Sequence, residues 1–405
     1  MAKRGAVLGA IVVVVALGAG CVAQPRIYAG AEIQPVAPEL VAAGATGVAV
    51  RSTGCAGAAG GTDVRALGDA LRYANEGLSQ SIRVYRHDCL IATGAFEDQY
   101  DNVAINLWSA TKGVTSLVVG RAMTMGKFGL DDPIGRYLPE ADAAHGAITI
   151  RQLLTQTSGL RFSWADEVNP GLFDSVKYVL SLPFAHEPGT YFEYAQAPLT
   201  LLLEVVKRVI GEDVVSFAQR EIFRPIGIGD DRWSWQRDAT GHPFGYAYVI
   251  VAPRDMGRIG TLMLHHGAWG GRQLIDAAYM AHLQASTETN PGYGYLTWTN
   301  EGTWLYSASI GNRQRKEHRW IESAPADTYA FSGLGDQMIW VIPSWDMVVV
   351  RTGLPTAPEW KYNLFSRLRT AVTDVDSGPL APYVPDAPQG VDDDRVLVDP
   401  WIWPW

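Results

Sequence analysis

The order of apolar and polar positions predicts strands at both ends of the chain and helices between them. Apolar residues recur at helical spacing over residues 64–78, and residues 81–92 then alternate like the two strands of a hairpin. Helical patterns dominate residues 130–225. Further strands are expected at 294–298, 327–331, 338–342 and 347–351, and further helices at 199–210, 214–223, 253–266 and 362–372. This order is typical of an α+β domain in which a helical block interrupts a sheet.

Two segments outside this pattern differ in composition. Residues 24–62 are rich in Ala, Gly and Pro with little periodicity, which predicts a linker or an irregular lead-in. Residues 376–405 are rich in Pro and Asp and leave open whether the tail packs on the body or extends from it. We therefore expect one domain at 63–375, with its helical insertion at about 130–250.

The N-terminus has the pattern of an export signal at residues 1–23. Two basic residues precede an apolar run that extends to about residue 19. The small residues before Cys21 resemble a bacterial lipoprotein signal, in which Cys21 would be lipidated, although Leu17 lies one position too early for that pattern. A secretory signal cut after Ala23 and an uncleaved anchor are the alternatives. We expect an exported bacterial protein, either attached to the cell envelope or secreted.

The net charge bears on nucleic-acid binding, and the cysteine content bears on disulfide formation. The net charge of −9 argues against nucleic-acid binding, which requires clustered basic residues. In an exported protein the remaining cysteines, Cys55 and Cys89, favour one disulfide; two buried thiols are the alternative.

The chain contains one Ser-x-x-Lys sequence, at Ser109 and Lys112. If Ser109 opens a helix, both residues lie on the same face, and the lysine amine can take the serine proton. The positive end of that helix would lie beside the same point, where the Ser109 N–H could stabilise an oxyanion. A surface serine beside a solvated lysine is the alternative.

Two further motifs follow in order. They are Leu130-Asp131-Asp132-Pro133-Ile134-Gly135-Arg136-Tyr137-Leu138-Pro139 and Leu153-Leu154-Thr155-Gln156-Thr157-Ser158-Gly159-Leu160. With Ser109-Ala110-Thr111-Lys112, the chain resembles the serine β-lactamase and penicillin-binding-protein-like hydrolases from about residue 80 to 372. Residues 158–163 and 332–343 are similar to the branch of esterases and 6-aminohexanoate-dimer hydrolases. The resemblance implies that Ser109 is the nucleophile and Lys112 its base.

The family's second element, a tyrosine with an asparagine two positions later, corresponds to Tyr194 and Gln196. A phenol beside a lysine cation is expected to have a lowered pKa and to relay a proton. Gln196 still offers hydrogen bonds, displaced by its longer side chain. A packed aromatic residue is the alternative for Tyr194.

The third element, usually Lys-Thr-Gly or His-x-Gly, is absent in that form, and its best candidate is Ser332-Gly333-Leu334. Glycine lets a strand edge approach the substrate, and the Leu334 N–H would complete the oxyanion hole. Without the cation, a substrate carboxylate lacks its usual partner, which disfavours β-lactams and peptidoglycan stems. A tight turn between strands is the alternative.

Other chemistries find little support in the sequence. The eight histidines show no metal-ligand spacing, and no Gly-x-Ser-x-Gly elbow is present. We therefore expect no metal and no cofactor. An acyl-binding wall could include tryptophans, although most tryptophans are simply packed; the candidates are Trp164, Trp233, Trp235, Trp298 and Trp304.

The sequence therefore predicts a serine hydrolase acting on a small ester or amide, with Tyr194 passing a proton to the leaving group. A β-lactamase or D-amino-acid peptidase is the second hypothesis. A non-catalytic envelope binding protein with a degraded site is the third. The oligomeric state is left open.

Overall fold

The computed structural model describes residues 60–162, 174–308 and 315–386, and the backbone alone of two strands within 40–51. Its strands are β1 (Leu40–Ala42), β2 (Ala49–Arg51), β3 (Ser79–Arg86), β4 (Cys89–Thr93), β5 (Ile105–Asn106), β6 (Trp233–Trp235), β7 (Val249–Val251), β8 (Ala268–Trp269), β9 (Arg272–Gln273), β10 (Trp298–Thr299), β11 (Leu305–Tyr306), β12 (Arg315–Lys316), β13 (Tyr329–Gly333), β14 (Gln337–Ile342) and β15 (Met347–Gly353). Its α-helices are α1 (Val64–Glu76), α2 (Glu97–Tyr100), α3 (Thr111–Thr124), α4 (Ala143–Gly146), α5 (Ile150–Leu154), α6 (Ser175–Val179), α7 (Leu199–Ile210), α8 (Val214–Ala218), α9 (Pro253–Leu264), α10 (Ala277–Gln284) and α11 (Trp360–Ala371).

Eight strands form one antiparallel sheet in the order β1-β2-β4-β3-β15-β14-β13-β10. An early strand and a late strand pair in the middle of this sheet. β3 and β15 are antiparallel neighbours, and their register places Met347 opposite Arg86. The helices α3 to α8 lie between these strands in the sequence. The predicted α+β class, a sheet interrupted by a helical block, is confirmed.

The central strands separate two hydrophobic cores. In β14, Ile339 and Val341 belong to the large core shared with the helical block, whereas Trp340 and Ile342 belong to a second core. The second core also contains apolar residues of α1 and α11, which pack against each other. Because successive side chains in a strand point to opposite faces, these uninterrupted apolar runs mark a sheet covered on both faces.

Local signals located the long helices well. The helix predicted at 199–210 is α7, and Gly211 ends it in the left-handed conformation, with φ of 75°. At the start of α5, Thr149 and Gln152 form a capping box. The helix predicted at 214–223 ends as α8 at Ala218 and continues to Phe223 as one π-helical turn.

Two expectations were wrong. The lead-in predicted to be irregular contains β1 and β2, and β2 pairs with β4. Residues 294–297 are not a strand, since Leu296 has a φ of 59° and its N–H bonds to the Leu154 carbonyl oxygen.

Cys21, Cys55 and Trp164 lie outside the described residues, so lipidation and the Cys55–Cys89 disulfide stay predictions. Among the helices that are described, none has the length and apolarity that crossing a membrane would require.

The described part of the C-terminal segment, residues 376–386, contacts the body of the protein. The Tyr362 hydroxyl donates to the Ala381 carbonyl oxygen at 2.9 Å, and the two rings of Tyr362 and Tyr383 lie 5.4 Å apart. At its end, Asp386 accepts from Lys316 of β12 at 2.7 Å and lies 3.2 Å from the His318 ring. This segment therefore ties α11 to the β11–β12 hairpin.

Asp386→Asn is expected to lower the melting temperature most between about pH 4 and 6.5. The hydrogen bond to His318 lowers the pKa of Asp386 to about 2, and Asp386 in turn raises the pKa of His318. The carboxylate therefore contributes stability that is lost as pH falls towards 2, and the imidazolium contributes stability that is lost as pH rises through its raised pKa. Calorimetry from pH 4 to 9 should show a deficit of about 1–2 °C that shrinks above neutral pH, because the pair is partly exposed. A deficit that grows with pH would contradict this assignment.

Candidate active site

Ser109 is held in a short 3-10 turn, Trp108–Ala110, directly before α3. β5 leads into this turn, and the Leu107 N–H donates to the Val249 carbonyl oxygen of β7 at 2.8 Å. The Val249 N–H in turn donates to Thr111 Oγ1 at 3.0 Å. Trp108, immediately before the serine, has a φ of 49°, which a non-glycine residue adopts only where its surroundings impose it. β7 therefore fixes both sides of the Ser109 turn.

Lys112, in the first turn of α3, is buried with three oxygen partners. Its Nζ lies 3.0 Å from Ser109 Oγ, 2.5 Å from Gln196 Oε1 and 3.3 Å from the Tyr246 carbonyl oxygen. The predicted contact between Ser109 and Lys112 across one helical face is thus present. Two of the partners are acceptors only, whereas the serine hydroxyl can donate or accept.

This arrangement satisfies Lys112 in both protonation states. An amine donates two N–H bonds to the two carbonyl oxygens and accepts the Ser109 proton, while an ammonium ion donates to all three oxygens. Proton transfer from Ser109 to Lys112 therefore needs no rearrangement of the surrounding groups.

Tyr194 lies beside Lys112 and Trp298. Lys112 Nζ lies 4.5 Å from the centre of its ring, and the Trp298 ring centre lies 5.5 Å from it. Burial raises the pKa of Tyr194 to about 12, against the opposing influence of the Ser109 and Trp298 side chains. The expectation that the neighbouring lysine lowers the pKa of Tyr194 was wrong, because the cost of burying a phenolate is larger. Tyr194 is a protonated phenol at neutral pH and is suited to donating a proton.

The side-chain amide of Gln196 forms hydrogen bonds with Lys112 and with the backbone of Tyr194. Its Oε1 accepts from Lys112, and its Nε2 donates to the Tyr194 carbonyl oxygen at 3.0 Å. Gln196 is 5% exposed, so its amide positions the lysine from within the protein.

The motif at 153–160 fixes the Tyr194 segment from the other side. The Glu193 N–H donates to the Gln156 carbonyl oxygen at 2.9 Å, and Gln156 Nε2 donates to the Ala195 carbonyl oxygen at 3.1 Å. Gln156 itself has a φ of 59°. The sequence identified this motif by resemblance. Only the structure shows that Gln156 forms hydrogen bonds with the backbone on both sides of Tyr194.

The strand end at Ser332 and Gly333 lies against the Ser109 turn. A Cβ atom at Gly333 would lie 2.0 Å from the Leu107 carbonyl oxygen, so no larger residue fits there without moving backbone. Similarly, a Cβ atom at Gly113 would meet the Phe331 ring at 2.1 Å, which shows how closely α3 approaches β13. Leu334 begins the turn to β14, with its side chain 48% exposed. All seven predicted residues, Ser109, Lys112, Tyr194, Gln196, Ser332, Gly333 and Leu334, therefore belong to one region.

The sequence missed Tyr246 in this region, and it did not predict that Trp298 contacts Tyr194. Tyr246 contributes a backbone carbonyl, which carries no sequence signal at all. Trp298 was one of five tryptophans proposed for an acyl-binding wall. Of the others, Trp233 packs on Phe223 at 4.1 Å, and the indole of Trp235 donates to the Phe244 carbonyl oxygen. Trp304 lies under the guanidinium group of Arg315.

A cavity and a cluster of acidic and imidazole groups lie apart from the predicted catalytic residues. A cavity of about 520 Å³ between the ends of β3 and α9 and the β8–β9 hairpin is lined by none of the predicted site residues. Carboxylate and imidazole atoms of Asp174, Asp238 and His242 lie within 4.8 Å of one another. The Asp238 carboxylate already accepts hydrogen bonds from both backbone and hydroxyl groups of Ser175 and Thr240, which accounts for the cluster without a metal ion.

Comparison with known proteins places the chain in a family. Residues 101–361 match the model of the Beta-lactamase family. Esterase EstB of Burkholderia gladioli is 30% identical over 151 residues, which are 32% of this chain and 38% of that protein. The 6-aminohexanoate-dimer hydrolase of Paenarthrobacter ureafaciens is 22% identical over 275 residues, or 63% of this chain and 67% of the hydrolase.

A solved structure shows the same fold. The penicillin-binding protein homologue from Caulobacter crescentus superposes with a TM-score of 0.58 at 16% identity, over 77% of this chain and 99% of that one. The family model covers well over half of the chain and includes the Ser109 turn, the Tyr194 segment and β13. The chain belongs to the Beta-lactamase family.

Proposed function

We propose that this protein is a serine hydrolase that cleaves a small ester or amide through an acyl-enzyme on Ser109. One observation carries the proposal: Ser109 Oγ lies 3.0 Å from Lys112 Nζ, and the same Nζ lies 4.5 Å from the centre of the Tyr194 ring. A nucleophile in contact with a base, with a proton donor beside them, is the arrangement that acyl transfer requires.

In the acylation step, Ser109 Oγ attacks the carbonyl carbon and its proton passes to Lys112. The backbone N–H groups of Ser109 and Leu334 stabilise the oxyanion. Tyr194 gives its phenolic proton to the leaving group as the scissile bond breaks. The acyl-enzyme then contains a Lys112 ammonium ion and a Tyr194 phenolate.

Deacylation returns both protons. A water molecule gives a proton to the Tyr194 phenolate and attacks the acyl carbon, and Lys112 returns its proton to Ser109 Oγ as the acid is released. Every proton is balanced over the cycle, and both transfers between Ser109 and Lys112 use the 3.0 Å contact described above.

Two arguments favour neutral esters and amides as the substrate class. The names of the relatives EstB and 6-aminohexanoate-dimer hydrolase indicate ester and amide cleavage by similar chains. In addition, residues 331–334 read Phe-Ser-Gly-Leu, so this strand end offers no cation to a substrate carboxylate. β-Lactams are the second candidate, because the chain belongs to the Beta-lactamase family.

A fluorophosphonate probe tests the proposed nucleophile. We expect a single adduct on Ser109, located by mass spectrometry of peptides, which is absent in Ser109→Ala and unchanged in Ser181→Ala. Ser181 is an exposed serine whose hydroxyl donates to the Tyr178 carbonyl oxygen, so it controls for accessibility without activation. The absence of a Ser109-dependent adduct would support a non-catalytic binding protein instead.

The substrate class is tested with p-nitrophenyl butyrate, the corresponding anilide and nitrocefin. We expect kcat/KM to be highest for the ester and measurable for the anilide. Nitrocefin turnover exceeding ester turnover would reverse the order of the two substrate classes.

We also propose that the protein is exported and that its N-terminus is processed at Cys21 or after Ala23. The basic residues and the apolar run before Cys21 support this. An oxidising compartment would allow the predicted Cys55–Cys89 disulfide to form. The mass of the mature N-terminal peptide distinguishes a lipidated Cys21 from an unmodified new terminus, and an intact Met1 would contradict cleavage.

A further inference from the structure

A row of four aromatic rings extends from Lys112 to the residue before the nucleophile. The Tyr246 ring centre lies 5.9 Å from Lys112 Nζ and 5.6 Å from the Phe244 ring centre. The Phe244 ring contacts the Tyr248 ring at 5.4 Å, which in turn contacts the Trp108 ring at 5.7 Å. This aromatic row therefore begins at the proposed base and ends next to the nucleophile.

The inner rings of the aromatic row are buried, and the outer two are accessible. Phe244 and Tyr246 are 3% and 6% exposed. Tyr248 and Trp108 are partly exposed, as is Ser109 itself. Trp108 is part of neither hydrophobic core of the described residues. The two outer rings thus form an accessible apolar surface beside the serine, with buried rings behind it.

Polar side chains of α3 hold the backbone of this row in place. Thr115 Oγ1 donates to the Gly245 carbonyl oxygen at 2.6 Å. Thr111 Oγ1 accepts from the Val249 N–H at 3.0 Å. Residues 244–249 are thus attached to the helix that follows the nucleophile, and the rings are positioned before substrate binds.

Both accessible residues have a backbone conformation that glycine adopts more readily. The φ angle is 49° at Trp108 and 70° at Tyr248. A positive φ strains a bulky residue, whereas glycine adopts it freely, so a turn that only redirected the chain could use glycine at either position. Strain of this kind clusters at active sites and at sites that hold a ligand. The two strained aromatic residues therefore indicate a ligand-binding surface.

We propose that the aromatic row binds the acyl group of the substrate, and that Trp108 and Tyr248 select acyl groups that contain an aromatic ring. This inference rests on the proposed serine hydrolase function. In that mechanism Tyr194 protonates the leaving group, and its ring contacts a different set of rings, those of Tyr293 and Trp298. The acyl chain extends from the other side of the carbonyl carbon, towards the aromatic row.

An uncharged aromatic acyl group fits this surface. The Trp108 and Tyr248 rings are tilted by 53° to each other, so a third ring can stack on one of them and meet the other edge-on. Such ring pairs are stabilised beyond the burial of their apolar area. The row contains neither a cation nor a carboxylate. The substrate class that it favours is an ester or amide of an arylalkanoic acid.

Tyr248→Gly tests the inference, because it removes an accessible ring and suits the backbone at a φ of 70°. The readout is the ratio of kcat/KM for p-nitrophenyl phenylacetate to kcat/KM for p-nitrophenyl acetate, two esters with the same leaving group. We expect the wild type to prefer the phenylacetate. The variant should lower this ratio about 10- to 100-fold, the range for losing the burial of one aromatic group.

A second pair of esters tests the side of the substrate that the row contacts. Benzyl acetate and ethyl acetate differ by an aromatic ring in the alcohol. Their kcat/KM ratio should change less than about 3-fold in Tyr248→Gly, because the leaving group lies at Tyr194 and away from the substituted ring.

Trp108→Gly removes the other accessible ring and should lower the phenylacetate to acetate ratio in the same way, so the test does not depend on the folding of one variant. Both esters are assayed on the same preparation, which makes the ratio independent of the fraction of active enzyme. The matched control is His266→Gly, an exposed position with a φ of 48° in the turn after α9. We expect the control to keep the wild-type ratio.

The outcomes separate this inference from the proposed function. A wild-type preference for the acetate, or an unchanged ratio in both glycine variants, would overturn the acyl-binding role. A larger change for the alcohol pair than for the acyl pair would overturn the assignment to the acyl group. No turnover of any of these esters, or turnover that persists in Ser109→Ala, would instead overturn the proposed function itself.

Discussion

Lys112→Met is expected to lower kcat/KM for ester hydrolysis by about 100- to 10,000-fold, the range for a lost general base. Methionine keeps most of the side-chain volume in this buried position but can neither accept the Ser109 proton nor donate to Gln196 and Tyr246. Among the described residues, Lys112 is the one side chain hydrogen-bonded to Ser109 Oγ, and the neighbouring Tyr194 is protonated at neutral pH, so no second base is available there. Stopped assays with p-nitrophenyl butyrate measure the loss.

The control for this prediction is Lys127→Met, which removes an exposed lysine just after α3 and should leave kcat/KM unchanged. The Lys112 variant is also expected to lose about 1–3 kcal/mol of unfolding free energy, because two buried carbonyl oxygens lose their donor. If activity stayed within about 3-fold of the wild type, Lys112 would not be the base.

Gly333→Ala is expected to reduce kcat by about 100- to 1,000-fold, the usual effect of losing one oxyanion-hole donor. The added methyl group would lie 2.0 Å from the Leu107 carbonyl oxygen and 3.1 Å from the Ala110 nitrogen. Both are backbone atoms on either side of Ser109, so β13 must move away from the nucleophile and take the Leu334 N–H with it. Overpacking of this kind also costs about 1–3 kcal/mol of stability.

The matched substitution is Gly129→Ala, where a Cβ atom would meet nothing closer than 3.8 Å. We expect that variant to keep wild-type kcat and melting temperature. For Gly333→Ala, the informative measurement is kcat at a temperature well below the melting point, so that lost activity is not lost protein. Unchanged kcat would show that β13 does not form part of the oxyanion hole.

Much of the fold was predictable from short-range pattern. Prediction succeeded where the spacing of apolar residues and the residues that end an element agree. This holds for the helices at 199–210 and 253–266 and for the strands at 338–342 and 347–351. The strand expected at 294–298 failed because tertiary packing of Gly294 and Leu296 overrides the β propensity of the aromatic residues. The prediction of an irregular segment at 24–62 was wrong because the sequence pattern there is weak. β1 and β2 form only by pairing with a sheet that is already present.

By itself the sequence indicated the nucleophile and base of the proposed reaction, because Ser109-Ala110-Thr111-Lys112 is followed in order by the motifs at 130–139 and 153–160, as in the hydrolases that the chain resembles. It also determined the α+β class and the order of the motifs. Only the tertiary structure decided what surrounds that pair. Gln196, the Tyr246 carbonyl, Tyr194 and Trp298 come from segments about 85 to 190 residues away, and no local periodicity specifies their distances. The raised pKa of Tyr194 is likewise a property of burial, which depends on how the helical block closes over the sheet.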